Sequence, residues 1–121
     1  MLEERYSVGD RDNRPWGNWE VMAVGPGYAI KRIEVLSGEM LSLQSHNHRS
    51  EHWIVLAGHA EVTLEERRIH LTTNGQVFIP PKAKHRVQNV GAGLLSFIEV
   101  QTGEHLDEND IVRFEDGYGR V

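Results

Sequence analysis

The sequence predicts an all-β domain, a sandwich or barrel of about eight to ten short strands, on three observations. Runs of alternating apolar and polar residues recur at short intervals between Trp19 and Val100, the pattern of strands with one buried and one wet face. Clusters of turn-forming residues separate the runs, among them Gly25-Pro26-Gly27, Ser37-Gly38-Glu39, Thr73-Asn74-Gly75 and Gly91-Ala92-Gly93. No helical period persists anywhere in this region, so a helical core is not expected.

Met1 to Arg14 are polar with little periodicity, which suits an arm packed on a neighbour or a loosely held end. Arg14-Pro15-Trp16-Gly17 closes that arm. Trp19 to Val24 is a short alternating run, and Tyr28 to Leu36 is a stronger strand, rich in aromatic and β-branched residues. A tight turn leads into Leu41 to His48. Trp53 to Leu56 is continuously apolar and is broken at Gly58, after which Ala60, Val62 and Leu64 alternate with polar neighbours. Glu65-Glu66-Arg67 makes a charged hairpin tip before Arg68 to Leu71. Gln76 to Ile79 ends at Pro80-Pro81, and His85 to Asn89 and Leu94 to Val100 complete the series. Gly103 to Val121 is charged and reads as a surface strap, with Asp107 or Asn109 able to cap one short helical turn.

With 121 residues, one domain over 1–121 is expected. Acidic residues outnumber basic ones, 18 to 13, for a net charge of -5, which argues against a broad footprint for nucleic acid or anionic lipid and leaves room for a local basic pocket for one phosphate. Cysteine is absent, so thiolate ligands and disulfides are excluded. Neither a signal-peptide pattern nor a membrane-length apolar run is present, and a soluble, cytoplasmic protein is expected.

The stretch Gly38 to Gly58 places Gln44, His46, His48, Glu51 and His52 within nine residues. On an extended strand Gln44, His46 and His48 would share a face, and a further ligand would come from Glu51, His52 or His85. Imidazole nitrogens with a carboxylate oxygen suit a borderline divalent ion: zinc first, with manganese, iron, cobalt or nickel as alternatives.

From Gly38, five residues lead to Gln44, one to His46, four to Glu51 and six to Gly58; further on, Gly75, Pro80, His85 and Asn89 follow in a second spaced set. These sets resemble the two motifs of the cupins, with Gln44 where the first His usually stands and Lys82 at a usual Gly. Gln44-x-His46-x-His48-Arg49-x-Glu51-His52-Trp53, Arg14-Pro15-Trp16-Gly17 and Asp110-Ile111-Val112-Arg113-Phe114-Glu115-Asp116-x-Tyr118-Gly119-Arg120 together resemble the type II mannose-6-phosphate isomerase domain. That domain is usually the C-terminal part of a bifunctional enzyme with a mannose-1-phosphate guanylyltransferase; the resemblance implies at most the isomerase half.

The resemblance implies a double-stranded β-helix, or jelly-roll barrel, over 15–103, with an N-terminal arm (1–14) and a C-terminal strap (104–121). It implies a metal-dependent isomerase interconverting mannose 6-phosphate and fructose 6-phosphate, with Arg113 and Arg120 at positions tied to that activity. Two ligand registers follow. Anchoring on the glycines selects Gln44, His46, Glu51 and His85; anchoring on His-x-His selects His46, His48, His52 and His85. The first is preferred, because a buried Glu51 without a cation would be strongly unfavourable. His48 and Lys31 are then candidates for proton transfer. Arg49 is read as a solvated turn residue, His59, His70 and His105 as ordinary polar residues, and Trp16, Trp19 and Trp53 as core or interface. A solvated edge competes with the inward reading of Lys31. The rival functions are a non-catalytic sugar- or metabolite-binding cupin, or another metal-dependent cupin enzyme such as a dioxygenase. A homodimer that covers the arms or edge strands is expected.

Overall fold

The computed structural model describes residues 6–115, and in them the chain is entirely β, with eleven strands and no helix. They are β1 (Arg11–Arg14), β2 (Gly17–Gly25), β3 (Tyr28–Val35), β4 (Leu43–Ser45), β5 (Arg49–Ala57), β6 (Ala60–Leu64), β7 (Arg67–Leu71), β8 (Gln76–Ile79), β9 (His85–Asn89), β10 (Leu95–Gly103) and β11 (Val112–Glu115). The pairings are antiparallel throughout. One sheet has the order β1-β2-β3-β10-β5-β8 and the other β11-β4-β9-β6-β7.

Alternation decides what lies between the sheets. On β5 the inward set is Arg49, Glu51, Trp53 and Val55; on β10 it is Leu95, Phe97, Glu99 and Gln101. The apolar members of these sets join Val35, Val62, Ile79 and Val87 in the main core, where the Trp53 and Phe97 rings lie 5.0 Å apart. Their polar members cluster towards the opposite end of the same interior, so one end of the barrel is packed and dry while the other is lined with charge.

Three expectations change. Residues 11–14 of the supposed arm form β1 and extend the larger sheet through β2. Residues 112–115 of the supposed strap form β11 and pair with β4. Asp107 caps a turn, accepting from the Asn109 backbone N–H at 2.8 Å, but no helical turn follows among the described residues. Both additions are too short and too polar to announce themselves by alternation; only their partners make them strands.

Lys82 adopts a left-handed backbone, with φ of 71°. An L-residue there is strained and glycine is not, which accounts for the glycine usual at this point of the motif.

Candidate active site

Four strands deliver the charged end of the barrel. Glu51 comes from the inner face of β5. His85 opens β9 and lies directly across from Gln44 on β4, which lies across from Arg113 on β11. His46 follows the last residue of β4. One ligand atom each from His46, Glu51 and His85 lie within 4.8 Å of one another, and all three residues are buried. His46 Nε2 is 3.1 Å from Glu51 Oε2, and His85 Nε2 is 3.8 Å from Glu51 Oε1.

Both imidazoles are oriented by backbone carbonyls. His46 Nδ1 lies 2.6 Å from the Asp110 carbonyl and His85 Nδ1 2.9 Å from that of Ala83, so each Nδ1 carries a proton and donates. In the neutral ring each Nε2 therefore offers a lone pair towards the Glu51 carboxylate. Acceptors facing acceptors at this range need a positive charge among them; Arg49 Nη2, 2.8 Å from Glu51 Oε2 and 3.3 Å from His46 Nε2, supplies one from the side. Burial works against a proton on His46, pulling its pKa down to about 4 in spite of the Glu51 charge beside it. Two imidazole nitrogens and a carboxylate oxygen fit a divalent ion of the borderline class. Gln44 lines the same cavity, its amide Nε2 donating to the Ser42 carbonyl and hydroxyl at 3.3 and 3.1 Å.

The two registers differ in which side chains the fold brings together. β4 ends at Ser45, and the Asp110 carboxylate then accepts from the backbone N–H groups of Asn47 and His48 at 2.8 and 2.9 Å. That clamp turns the chain, alternation stops, and His48 is exposed, with its ring 5.0 Å from His105. His48 is thus outside the cavity, contrary to the expectation that it shares a face with Gln44 and His46. His52 is on the outer face of β5, 2.8 Å from Gln76 Oε1. The glycine-anchored set is the one brought together.

Arg49 corrects a second expectation. It is a buried residue, not a solvated one, and its Nε and Nη2 donate to Glu51 Oε2 at 2.9 and 2.8 Å. Burial alone would raise the Glu51 pKa, but Arg49 and the two histidines hold it well below the usual carboxylate range. Lys31 points inward, as its alternation with Ile33 allowed; its ammonium pairs with Glu108 at 2.8 Å and lies over the rings of Trp19 and Tyr6, 4.0 and 4.4 Å from their centroids. Tyr6 also donates to Glu108. Glu99, across the β3–β10 pair from Lys31, was passed over in the sequence although Leu95, Phe97 and Glu99 share one parity. Its burial, with the Glu51 charge nearby, pushes its pKa up to about 8. The Trp53 indole N–H is shared between Glu51 Oε1 at 2.9 Å and Glu99 Oε1 at 3.1 Å. Arg14, Lys31 and Arg113 line the cavity with the ligand trio; Arg120 lies outside the described residues.

A two-sheet β-barrel with a buried His-Glu-His cluster at one end defines a cupin. Solved structures agree at the level of fold: oxalate decarboxylase from Lactobacillus farciminis, in its formate complex, superposes with a TM-score of 0.76 over 87% of this chain and 33% of that one at 21% identity, and KdgF from Halomonas sp. with 0.72 over 78% and 87% at 17%. Residues 3–116 match the family described as mannose-6-phosphate isomerase C-terminal, and the chain belongs to that family. Its relatives include the xanthan biosynthesis protein XanB of Xanthomonas campestris, 51% identical over 89% of this chain and 23% of the relative. The alginate biosynthesis protein AlgA of Pseudomonas syringae is 50% identical over 88% and 22%, and the mannose-1-phosphate guanylyltransferase ManC of Salmonella typhimurium 48% over 89% and 22%. The chain thus spans under a quarter of the length of these relatives. No helix among the described residues is long and apolar enough to cross a membrane.

Proposed function

We propose that this chain interconverts mannose 6-phosphate and fructose 6-phosphate, with Gln44, His46, Glu51 and His85 holding a divalent ion. The observation that carries the proposal is the inner row Arg113–Gln44–His85. It sets the Arg113 backbone two strand spacings, about 10 Å, from that of His85, and Arg113 lines the same cavity as the ligand trio, so one pocket offers an arginine for a phosphate and a ligand set for an ion. Membership of the isomerase family supports the same reading.

Aldose–ketose interconversion moves a proton between two adjacent carbons through an enediolate, whose charge must be stabilised as it forms. A bound divalent ion would supply that stabilisation at the C1 and C2 oxygens. The chain's own groups do the rest. Arg113 would hold the phosphate in a fork that fixes the sugar's direction, and the family resemblance assigns Arg120 to the same task. Lys31 and Glu99 face each other across one strand pair inside the cavity and are the groups there suited to hold or pass a proton. His48 is too far out for that task in this conformation.

The test is to strip the chain with a chelator, reload it with zinc, manganese, iron, cobalt or nickel in turn, and assay fructose 6-phosphate formed from mannose 6-phosphate. Turnover with at least one ion, lost in Glu51→Gln, is expected. Binding of mannose 6-phosphate with no turnover under any ion would replace the isomerase by the non-catalytic sugar-phosphate-binding reading.

A further inference from the structure

The ligand trio already has a cation. Arg49 is 5% exposed, and all three of its guanidinium nitrogens are engaged. Nε and Nη2 donate to Glu51 Oε2 at 2.9 and 2.8 Å, Nη2 also lies 3.3 Å from His46 Nε2, and Nη1 donates to the Asp107 carbonyl at 3.1 Å. Nη2 therefore reaches the His46 nitrogen and the Glu51 oxygen that a metal would take. A buried carboxylate needs such a partner when no metal is there, and two cations drawn to the same lone pairs within a few ångströms repel each other in a poorly screened interior.

We propose that Arg49 is the resident cation of the metal-free site, keeping His46 and Glu51 assembled, and that a divalent ion enters in competition with it, so that this side chain sets the ion affinity. The charge logic is specific to a guanidinium placed two residues before the carboxylate on the same strand face. Glu51 alone would leave the site anionic and avid for ions. Glu51 with Arg49 is neutral before the ion arrives, which lowers affinity and makes release easier. Arg49 also ties the trio to residue 107, so an ion that displaces Nη2 disturbs the segment preceding β11 as well.

The inference rests on the metal reading of the trio and not on the isomerase step, and its readouts are separate from turnover. The full chain and its Arg49→Met and Arg49→Lys variants are stripped with chelator and titrated with cobalt(II) by calorimetry, with visible absorption reporting ligation. Arg49→Met is expected to bind cobalt at least tenfold more tightly than the wild type while its metal-free form unfolds at lower urea; Arg49→Lys, a cation without the fork, falls between on both. Cobalt binding to Arg49→Met that is equal to or weaker than wild type overturns the proposal, leaving the arginine a brace. Should Arg49→Met not fold even with cobalt, zinc is titrated into wild-type protein carrying labelled arginine. A shift of the Arg49 Nε–H resonance on saturation supports displacement, and an unmoved resonance overturns it. Absence of ion binding to both wild type and variant overturns this inference together with the metal reading.

Discussion

Replacing Asp110 by alanine tests whether the segment before β11 builds the site or only covers it. The residue is buried, and its carboxylate accepts the backbone N–H groups of Asn47 and His48 at 2.8 and 2.9 Å while its carbonyl takes His46 Nδ1 at 2.6 Å. Alanine removes two hydrogen bonds to a charged acceptor, each contributing about 1.5 kcal/mol in this setting. Access of water to the freed N–H groups of the exposed residues 47 and 48 offsets part of that. The expected loss is about 2–3 kcal/mol, or roughly 10 °C in Tm for a domain of this size. The backbone carbonyl remains, but the turn that aims it is released, so His46 should lose its orientation and metal affinity should fall by about 10–100-fold. Urea unfolding of the stripped protein gives the first number and cobalt titration the second. A stability loss under about 0.5 kcal/mol with unchanged cobalt affinity would refute the clamp, because two partly buried charge-assisted bonds cannot vanish that quietly.

Lys82→Gly should stabilise the protein by about 1 kcal/mol, by relieving the left-handed strain at φ 71°; an unchanged or lower urea midpoint would contradict it. Arg113→Ala should raise KM for mannose 6-phosphate by about 10–100-fold with a smaller change in kcat, the signature of lost phosphate anchoring. In the metal-free protein, Glu99 titrates at about 8 when folded and near 4.5 when unfolded, so its contribution is full below pH 4.5 and is lost as pH rises towards 8. His46 titrates at about 4 when folded and near 6.5 when unfolded, so its contribution runs the other way and is lost as pH falls from 6.5 to 4. The two oppose each other between pH 4.5 and 6.5; above 6.5 the Glu99 contribution continues to fall, and stability should decline towards pH 8. Urea midpoints across this range should show that loss in wild type and not in Glu99→Gln. A homodimer covering the outward row Ile30–Val100–His52–Phe78, where Phe78 is 56% exposed, should sediment as a dimer and shift towards monomer in Phe78→Glu.

The strands from Tyr28 to Val100 were legible because alternation and turn chemistry act locally, and the trio His46, Glu51 and His85 was legible through the resemblance to the cupin motifs, whose spaced glycines select it. Gly58 shows why: its φ is 96°, and a Cβ there would sit 2.7 Å from the Leu94 carbonyl oxygen. Other features needed the tertiary structure. His48 follows the strand alternation in sequence, but Asp110, 62 residues away, bends the chain before that alternation reaches it. Asp110 and Glu108 acquire their roles only by contact with distant residues. Arg49 and Glu99 are a different failure. Both share parity with plainly buried neighbours, so the signal was present; a lone charge suggests solvent, as at Arg49, and only the partners of each group show that these charges compensate one another.

The shared indole hydrogen of Trp53 has a practical consequence. Its ring lies 5.7 Å from that of His85 and its nitrogen contacts both interior glutamates, so the side chain is a fluorophore wired to the ion seat. Nickel or cobalt arriving there would darken its emission, and because Trp16 and Trp19 line the same cavity, Trp53→Phe should reduce the quenching without abolishing it, so occupancy can be followed by light in a cuvette without any substrate present.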